Sequence, residues 1–286
     1  YGVADSILIL YRLKQQPVVI VSPIFQHSPS VFISLKKKNI SSIYELNNKD
    51  ILFYPNNTDG FSLLAMIKKF NLDVNLVRER YKDDYMRLIK NEVDVIPAYI
   101  ANEPFLFKEK GYDVNIINPT NYGFDMYGDM LFTNEDEAKN NPDRVEKFKE
   151  ATLKGWKYAL ENKEEIIQLI NEKYTQEKTI EHLRYEANAI DSLINKNLTP
   201  LGYLDQGRIR YISEMYKYYG LTESTIDLKD FLFDEISKKD KKLSLSDEEI
   251  KYLKDNPILK VHNFDSLPPY NFTLNNYPKG FVIDYM

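Results

Sequence analysis

Two polar side chains at the end of an apolar run offer chemistry that could recognise a small molecule. Asn102 and Glu103 lie just past the end of the run at residues 93–100. The Glu103 carboxylate could pair with an amine or a protonated ring nitrogen, and the Asn102 amide could donate and accept hydrogen bonds. The alternative for Glu103 is an acid in the first turn of the next helix, stabilised there by the helix dipole.

A second group of candidates lies in the aromatic stretch YGFDMYGD at residues 122–129. Tyr122, Asp125 and Tyr127 could hold a flat ring by stacking and hydrogen bonding. The alternative is packing within a hinge, and for Tyr127 the two roles have equal weight. Tyr99, at the end of the apolar run, is a further candidate for ligand contact.

The remaining ligand-binding candidates stand at turns and at the ends of expected strands. Asp5 and Ser6 follow a short strand-like run, where they could instead cap a helix. His27 lies in the turn FQHSP, where turn packing is the alternative role. Asn57 and Thr58 belong to a polar loop between an expected strand and an apolar helix, where backbone N–H groups point at a bound ligand.

These candidates need a scaffold, and residues 93–117 indicate a strand, a helix and a second strand. Pro104 is tolerated in a first helical turn, and Gly111 is typical of a left-handed cap at a helix end. Residues 114–117 form the second expected strand. Ligands of open α/β sheets bind at the carboxyl ends of parallel strands, which places the expected cleft at residues 99–103.

Beyond residue 133 the apolar periodicity changes and predicts four successive helices. The first begins with Asn141 as its cap, and the fourth ends at Gly220. Trp156, the only tryptophan, falls on an apolar stripe and is predicted to pack in the core. His182 lies off the stripe of the third helix and is predicted to be a surface residue.

Composition excludes several classes of protein and of site. The 286 residues are 43% hydrophobic and 28% charged, which suits a soluble globular protein of roughly two domains. A net charge of −5 gives no support for nucleic-acid binding. With no cysteine and three scattered histidines, no compact metal site is visible, and we expect neither a metal nor another cofactor.

The charged run KKDKK at residues 238–242 is predicted to belong to a linker. We expect a first domain at residues 1–235, a linker at 236–245 and the beginning of a second domain at 246–286. A helix should follow Ser246, with Glu249 three residues later completing a capping box. A strand is expected at 258–261 and a further element at 280–285.

Several segments in order resemble the bacterial solute-binding family that includes thiamine-pyrimidine-precursor and sulfonate binding proteins, together with the fungal thiamine-pyrimidine synthase. The segments, which cover most of residues 1–235, are YGVADS, PVVIVSPIFQHSPSVFISLK, VDVIPAYIANEPFLFKEKGYDVNIINP, YGFDMYGDMLFT, NNPDRVEKFKEATLKGWKYALENKEEIIQLI and LTPLGYLDQGRIRYISEMYKYYGL. The resemblance implies an α/β, bilobed periplasmic-binding-protein-like type II fold, with the ligand between two lobes. It also implies that the first lobe lacks its N-terminal elements.

Residues 243–286 are similar to the start of an amino-acid-type solute-binding domain. Tandem domains of this sort are typical of the sensor part of membrane-bound histidine kinases and diguanylate cyclases. We therefore expect a periplasmic or extracytoplasmic sensor that binds a small, polar, pyrimidine-like molecule. Its parent chain would anchor it to a membrane, and the parent receptor could be a dimer. The substrate-binding component of an ABC importer is the alternative. A thiamine-pyrimidine synthase-like enzyme is disfavoured because the cysteine-rich motif of those enzymes is missing.

Overall fold

Strands and helices alternate through the first half of the chain, and helices dominate from residue 135 to residue 237. The computed structural model describes residues 1–53, 58–78, 84–195, 197–237, 246–256, 266–267, 271–274 and 277–279. The strands are β1 Gly2–Ala4, β2 Val18–Pro23, β3 Ser30–Leu35, β4 Asp50–Phe53, β5 Asn75–Arg78, β6 Ile96–Tyr99, β7 Val114–Ile117, β8 Met130–Asn134, β9 Ser266–Leu267, β10 Asn271–Leu274 and β11 Tyr277–Lys279. The α-helices are α1 Ile7–Leu13, α2 Thr58–Phe70, α3 Asp84–Ile89, α4 Glu103–Glu109, α5 Glu135–Asn140, α6 Pro142–Glu161, α7 Lys163–Lys173, α8 Ile180–Ile194, α9 Gln206–Tyr218, α10 Phe233–Ser237 and α11 Asp247–Asp255.

The chain divides into two compact units, Tyr1–Lys239 and Asp240–Met286. In the second unit, α11 follows Ser246 as predicted, and β10 pairs antiparallel with both β9 and β11. Residues 238–245 of the predicted linker, and the elements predicted at 258–261 and 280–285, lie outside the described residues. The domain boundaries at 235 and 246 therefore stay a prediction.

The first lobe of the larger unit is built on a sheet in the order β1, β8, β2. β8 runs antiparallel to both neighbours, with Ala4 and Pro23 each opposite Met130. The apolar run of β2 is buried from Val19 onwards, as expected for a strand covered on both faces. β8 begins at the edge of the sheet where β1 and β2 end. Asp129, directly before β8, therefore lies at the same edge as the carboxyl ends of β1 and β2.

The second lobe contains the strands from β3 to β7. β3 lies between β6 and β7 and runs antiparallel to both, so β6 and β7 are parallel to each other. β4 pairs in parallel with β5, and a parallel bridge from Ile51 to Val95 links β4 to the chain entering β6. The predicted strand–helix–strand is thus confirmed as β6–α4–β7, with β3 inserted between its strands. Gly111 has a φ of +80° just after α4, as its predicted capping role requires.

Two chain segments, residues 24–29 and 118–129, cross between the lobes and pair with each other. The Ile24 N–H donates to the Asp129 carbonyl over 2.8 Å, and the Ser28 N–H donates to the Met126 carbonyl over 2.9 Å. A Cβ on Gly128 would stand 2.8 Å from the His27 carbonyl oxygen, so this close approach requires glycine. The two crossings therefore form one paired strip.

The four helices predicted after residue 133 are confirmed as α6, α7, α8 and α9. Asn141 precedes α6 as its N-terminal cap residue, and Gly220 after α9 has a φ of +80°. α9 packs against α1 of the first lobe, whereas α8 packs against both α7 and α4. The apolar periodicity of each helix was sufficient to predict it, but the neighbour of each helix depends on tertiary contacts.

Candidate functional site

The candidates in the two crossings converge on one carboxylate. His27 Nδ1 lies 2.9 Å from Asp125 Oδ1, which joins the first crossing to the second. Arg208 Nη2, on the first turn of α9, lies 2.9 Å from the same oxygen. We call His27, Asp125, Tyr127 and Arg208 the crossing cluster. Its guanidinium, imidazole and carboxylate hold the paired crossings against α9 through charge-assisted hydrogen bonds.

Arg208 is oriented by the start of its own helix and by Tyr127. The side chain of Asp205 caps α9 by accepting hydrogen bonds from the N–H groups of Gly207 and Arg208. The Arg208 guanidinium lies 4.2 Å from the centre of the Tyr127 ring, and the Tyr127 hydroxyl accepts from the Asp205 N–H over 2.9 Å. Tyr127 has no exposed surface. Of its two predicted roles, this burial favours hinge packing over stacking on a ligand.

Ser6 connects the end of β1 to the second crossing. Its hydroxyl donates to the Tyr127 carbonyl over 2.8 Å, and the Tyr216 hydroxyl donates to the Ser6 carbonyl over 3.0 Å. Ser6 makes no side-chain capping bond to α1; Asp5 Oδ1 instead accepts from the Ile7 N–H. Burial, followed by the charge of Asp5, raises the pKa of Tyr216 well above its ordinary value. Ser6 is therefore a buried structural link.

Asp5 and Asp129 form an acidic pair at the edge of the first-lobe sheet. The register that sets Ala4 opposite Met130 places Asp5 and Asp129 at the same edge of the sheet. Burial, and then the charge of Asp5, raises the pKa of Asp129 above the ordinary carboxyl value. Asp129 was not among the residues predicted from the sequence, because its proximity to Asp5 depends on the pairing of β1 with β8. The signal that could have found it is its position directly before the apolar strand β8.

The second set of candidates lies at the carboxyl end of β6. The Glu103 carboxylate accepts from the Tyr99 N–H over 2.6 Å and from Asn102 Nδ2 over 2.9 Å. Asn102 Oδ1 in turn lies 3.0 Å from His182 Nε2 on α8. Tyr99 itself is 44% exposed. Glu103 thus orders the turn that presents Asn102, a role close to the alternative that its helix position predicted.

The prediction that His182 is a surface residue was wrong. His182 is 3% exposed, and its Nδ1 lies 3.3 Å from Glu109 Oε2 of α4. Its ring also packs on Phe105, with 5.0 Å between the ring centres. The periodicity of α8 showed the face that meets the other C-terminal helices, but α8 has a second buried face against α4.

Of the remaining candidates, Tyr122 belongs to the core of the second lobe. Its hydroxyl accepts from the Ile43 N–H over 3.2 Å, and its ring meets Phe70 edge-on. These contacts correspond to its alternative packing role. Thr58 is the first residue of α2, and Asn57 lies outside the described residues.

The structure therefore gathers the candidates into two groups. One group contains Asp5, Ser6 and the crossing cluster, and the other contains Tyr99, Asn102 and Glu103. α8 contacts both, since His182 near its start meets Asn102 and the Leu193 carbonyl near its end accepts from the His27 N–H. At a rise of 1.5 Å per residue these contacts are about 16 Å apart. This helix is thus the shared wall between the crossings and the end of β6.

We expect His182→Ala to lower the free energy of unfolding by about 1–2 kcal/mol. The variant leaves Asn102 Oδ1 and the Glu109 carboxylate without their ring partner and removes the contact with Phe105. Urea denaturation measures the change. Ser192→Ala, at an exposed position of the same helix, is the control and should stay within about 0.5 kcal/mol of the wild type. Equal changes in the two variants would contradict a structural role for His182.

Within the part of the chain that the structure describes, no cluster of three or more His, Asp or Glu side chains could hold a metal ion. No helix in the same residues combines the length and apolar character that crossing a membrane requires.

Two curated proteins match parts of the chain. The formylaminopyrimidine-binding protein of Halalkalibacterium halodurans is 30% identical over 77 residues, which are 27% of this chain and 23% of that protein. The riboflavin-binding protein RibY of Chloroflexus aurantiacus is 23% identical over 232 residues, covering 78% of this chain and 65% of that protein. The matches thus span less than two thirds of either relative's length.

Solved structures of solute-binding proteins share the fold. The periplasmic aliphatic sulphonate binding protein SsuA from Escherichia coli gives a TM-score of 0.61 at 12% identity, covering 83% of this chain and 81% of that chain. The alkanesulfonate-binding protein SsuA from Xanthomonas axonopodis, bound to MOPS, gives 0.57 at 11% identity, covering 77% of this chain and 75% of that chain. These similarities confirm the predicted α/β, type II solute-binding fold.

The proteins named here are described as binding proteins, which agrees with the prediction that this region binds a ligand and is not an enzyme. Residues 1–166, more than half of the chain, match the family described as NMT1/THI5 like. The chain therefore belongs to the NMT1/THI5-like family of solute-binding fold.

Proposed function

We propose that residues 1–235 bind a small polar, pyrimidine-like molecule between their two lobes and close around it. The observation that carries this proposal is the paired strip of crossings, whose crossing cluster ties His27 and Arg208 to Asp125. A ligand that contacts both lobes stabilises the closed arrangement by its differential contacts. The strip is where the backbone would bend during closure.

The acidic pair at the sheet edge supports a ligand that carries amino groups or a protonated ring nitrogen. Carboxylates accept hydrogen bonds, and a neighbouring positive charge would relieve the repulsion between Asp5 and Asp129. The similarity to a formylaminopyrimidine-binding protein supports the same chemical class. An aminopyrimidine would therefore bind at Asp5 and Asp129, with Asn102 and Tyr99 approaching from the second lobe.

The biological role we propose is that of an extracytoplasmic sensor domain in a membrane signalling protein, of the histidine kinase or diguanylate cyclase type. Support comes from the second compact unit at Asp240–Met286, which follows the solute-binding domain in the same chain. In such a receptor, closure of the first domain would be passed to an output module, and the receptor would act as a dimer. A membrane anchor would belong to the parent chain.

A substrate-binding component of an ABC importer is the second candidate. The similarity to periplasmic sulphonate-binding proteins supports it, since those proteins share the fold over most of this chain. An importer component delivers its ligand to a permease, whereas a sensor changes the activity of its own chain. If the chain is a sensor, an aminopyrimidine should change kinase or cyclase activity in membrane vesicles that contain the parent protein. If it is an importer component, the vesicles should take up the compound only when the permease is present.

Ligand binding itself is tested by thermal denaturation of the 286-residue chain with a formylaminopyrimidine, riboflavin, an alkanesulfonate or arginine. We expect the formylaminopyrimidine to raise the melting temperature most. At a concentration about 100 times its dissociation constant, the added stability is about 2.7 kcal/mol. If none of the four compounds raises the melting temperature, or if only the sulfonate does, the proposed ligand class is wrong.

A further inference from the structure

A cavity of about 400 Å³ lies among α6, α7 and α8. None of the residues predicted from the sequence to bind a ligand lines it. Its walls are mainly aliphatic, with side chains from Leu160, Ile166, Ile167, Ile170, Leu183 and Ile190. We propose that this cavity is a second binding site, distinct from the interlobe cleft, for a small neutral apolar molecule.

The size and the walls of the cavity favour a binding site. Most of its lining residues are only partly buried, so a molecule can enter it from solvent. Sites for small organic molecules have volumes of about 300–1,000 Å³ and predominantly apolar walls. Gly155 of α6 lines the cavity, and a Cβ placed there would meet no atom within 4 Å. Because Gly155 is exposed, the cavity opens to solvent beside this residue.

The charges at the cavity decide the chemistry of the molecule that it would bind. Lys163 and Glu186 are the charged side chains of the lining. Lys163 Nζ lies 2.7 Å from Asp191 Oδ2, and Glu186 pairs with Lys178. Because both charges already have partners of opposite sign, neither is available to neutralise an ionised ligand, and burial of an unpaired charge is costly. The occupant is therefore neutral.

Trp156 makes the site measurable. It lines the cavity and is half-buried, and its ring meets Phe25 of the first crossing edge-on with 5.9 Å between ring centres. The chain has no other tryptophan. A molecule entering the cavity replaces water beside the indole ring and should shift its emission to shorter wavelength.

The experiment titrates the 286-residue chain with decan-1-ol and follows Trp156 fluorescence, excited where tyrosine does not absorb. Decanoate, which has the same chain length but a negative charge, is titrated in parallel. Ala159→Phe places a ring in the cavity, and Ala151→Phe makes the same change at an exposed position of α6. Thermal denaturation checks that each variant is folded, and Ala187→Phe is a second filling variant from the α8 wall.

We expect decan-1-ol to bind saturably to the wild type and to Ala151→Phe, and at least about tenfold more weakly to a folded filling variant. Decanoate should bind at least about tenfold more weakly than the alcohol. Absence of a saturable emission change with decan-1-ol would overturn the site. Unchanged binding in a folded filling variant would overturn its location, and equal affinity for decanoate would overturn the neutral class of ligand.

Discussion

Arg208→Ala is expected to lower the free energy of unfolding by about 2–4 kcal/mol. The change removes the guanidinium from Asp125 Oδ1 and from the carbonyl oxygens of Asp125 and Met126, which lie 3.3 and 3.2 Å from Nη2. It also uncovers the ring of Tyr127. Because Asp125 binds His27 as well, the loss reaches both crossings and should loosen the strip that joins the lobes.

Urea denaturation measures the change in stability, and amide hydrogen exchange locates it. The N–H groups of Ile24 and Ser28, which pair the two crossings, should exchange faster in Arg208→Ala. Arg210→Ala is the matched control, since Arg210 is exposed two residues further along the same helix. We expect it to remain within about 0.5 kcal/mol of the wild type. An Arg208→Ala protein as stable as this control would show that the crossing cluster does not hold the strip.

Asp129→Asn should weaken binding of a formylaminopyrimidine by about 10- to 100-fold while making the unliganded protein more stable at neutral pH. The two effects have opposite signs because the partly buried Asp129 carboxylate, near Asp5, disfavours folding but would favour a cationic or amino-bearing ligand. Sites selected for function commonly reduce stability in this way. Calorimetric titration and urea denaturation measure the two effects separately.

The pH dependence gives a further check on the same variant. Burial, and then the charge of Asp5, raises the pKa of Asp129. Between the ordinary carboxyl pKa and this raised value, the folded protein holds more protons than the unfolded chain. Stability contributed by this group is therefore lost as the pH rises through that window, and Asp129→Asn should abolish the loss.

Asp113→Asn, at an exposed position after α4, is the control for the removal of one negative charge. It should change neither ligand affinity nor the pH dependence of stability. If Asp129→Asn binds the ligand as tightly as Asp113→Asn does, the ligand is not held by the acidic pair. A loss of stability at neutral pH would contradict the inferred cost of burying Asp129.

Local patterns in the sequence determined the elements of this protein. The apolar run before Asn102, Pro104 in a first turn and Gly111 at a helix end predicted β6–α4–β7, and three- and four-residue periodicity predicted the C-terminal helices. These signals are local because backbone hydrogen bonds and capping depend on residues a few positions apart. The resemblance of ordered segments to a solute-binding family supplied the bilobed fold.

The residues that complete the site were decided by tertiary structure alone. Arg208 meets Asp125 across 83 residues, His182 is buried because α8 packs on α4, and Asp129 stands beside Asp5 through the register of β1 with β8. Each of these contacts depends on which elements become neighbours, and periodicity describes one element at a time. The strands, helices and candidate residue types thus follow from local sequence patterns, whereas packing between distant segments sets which side chains share the candidate site.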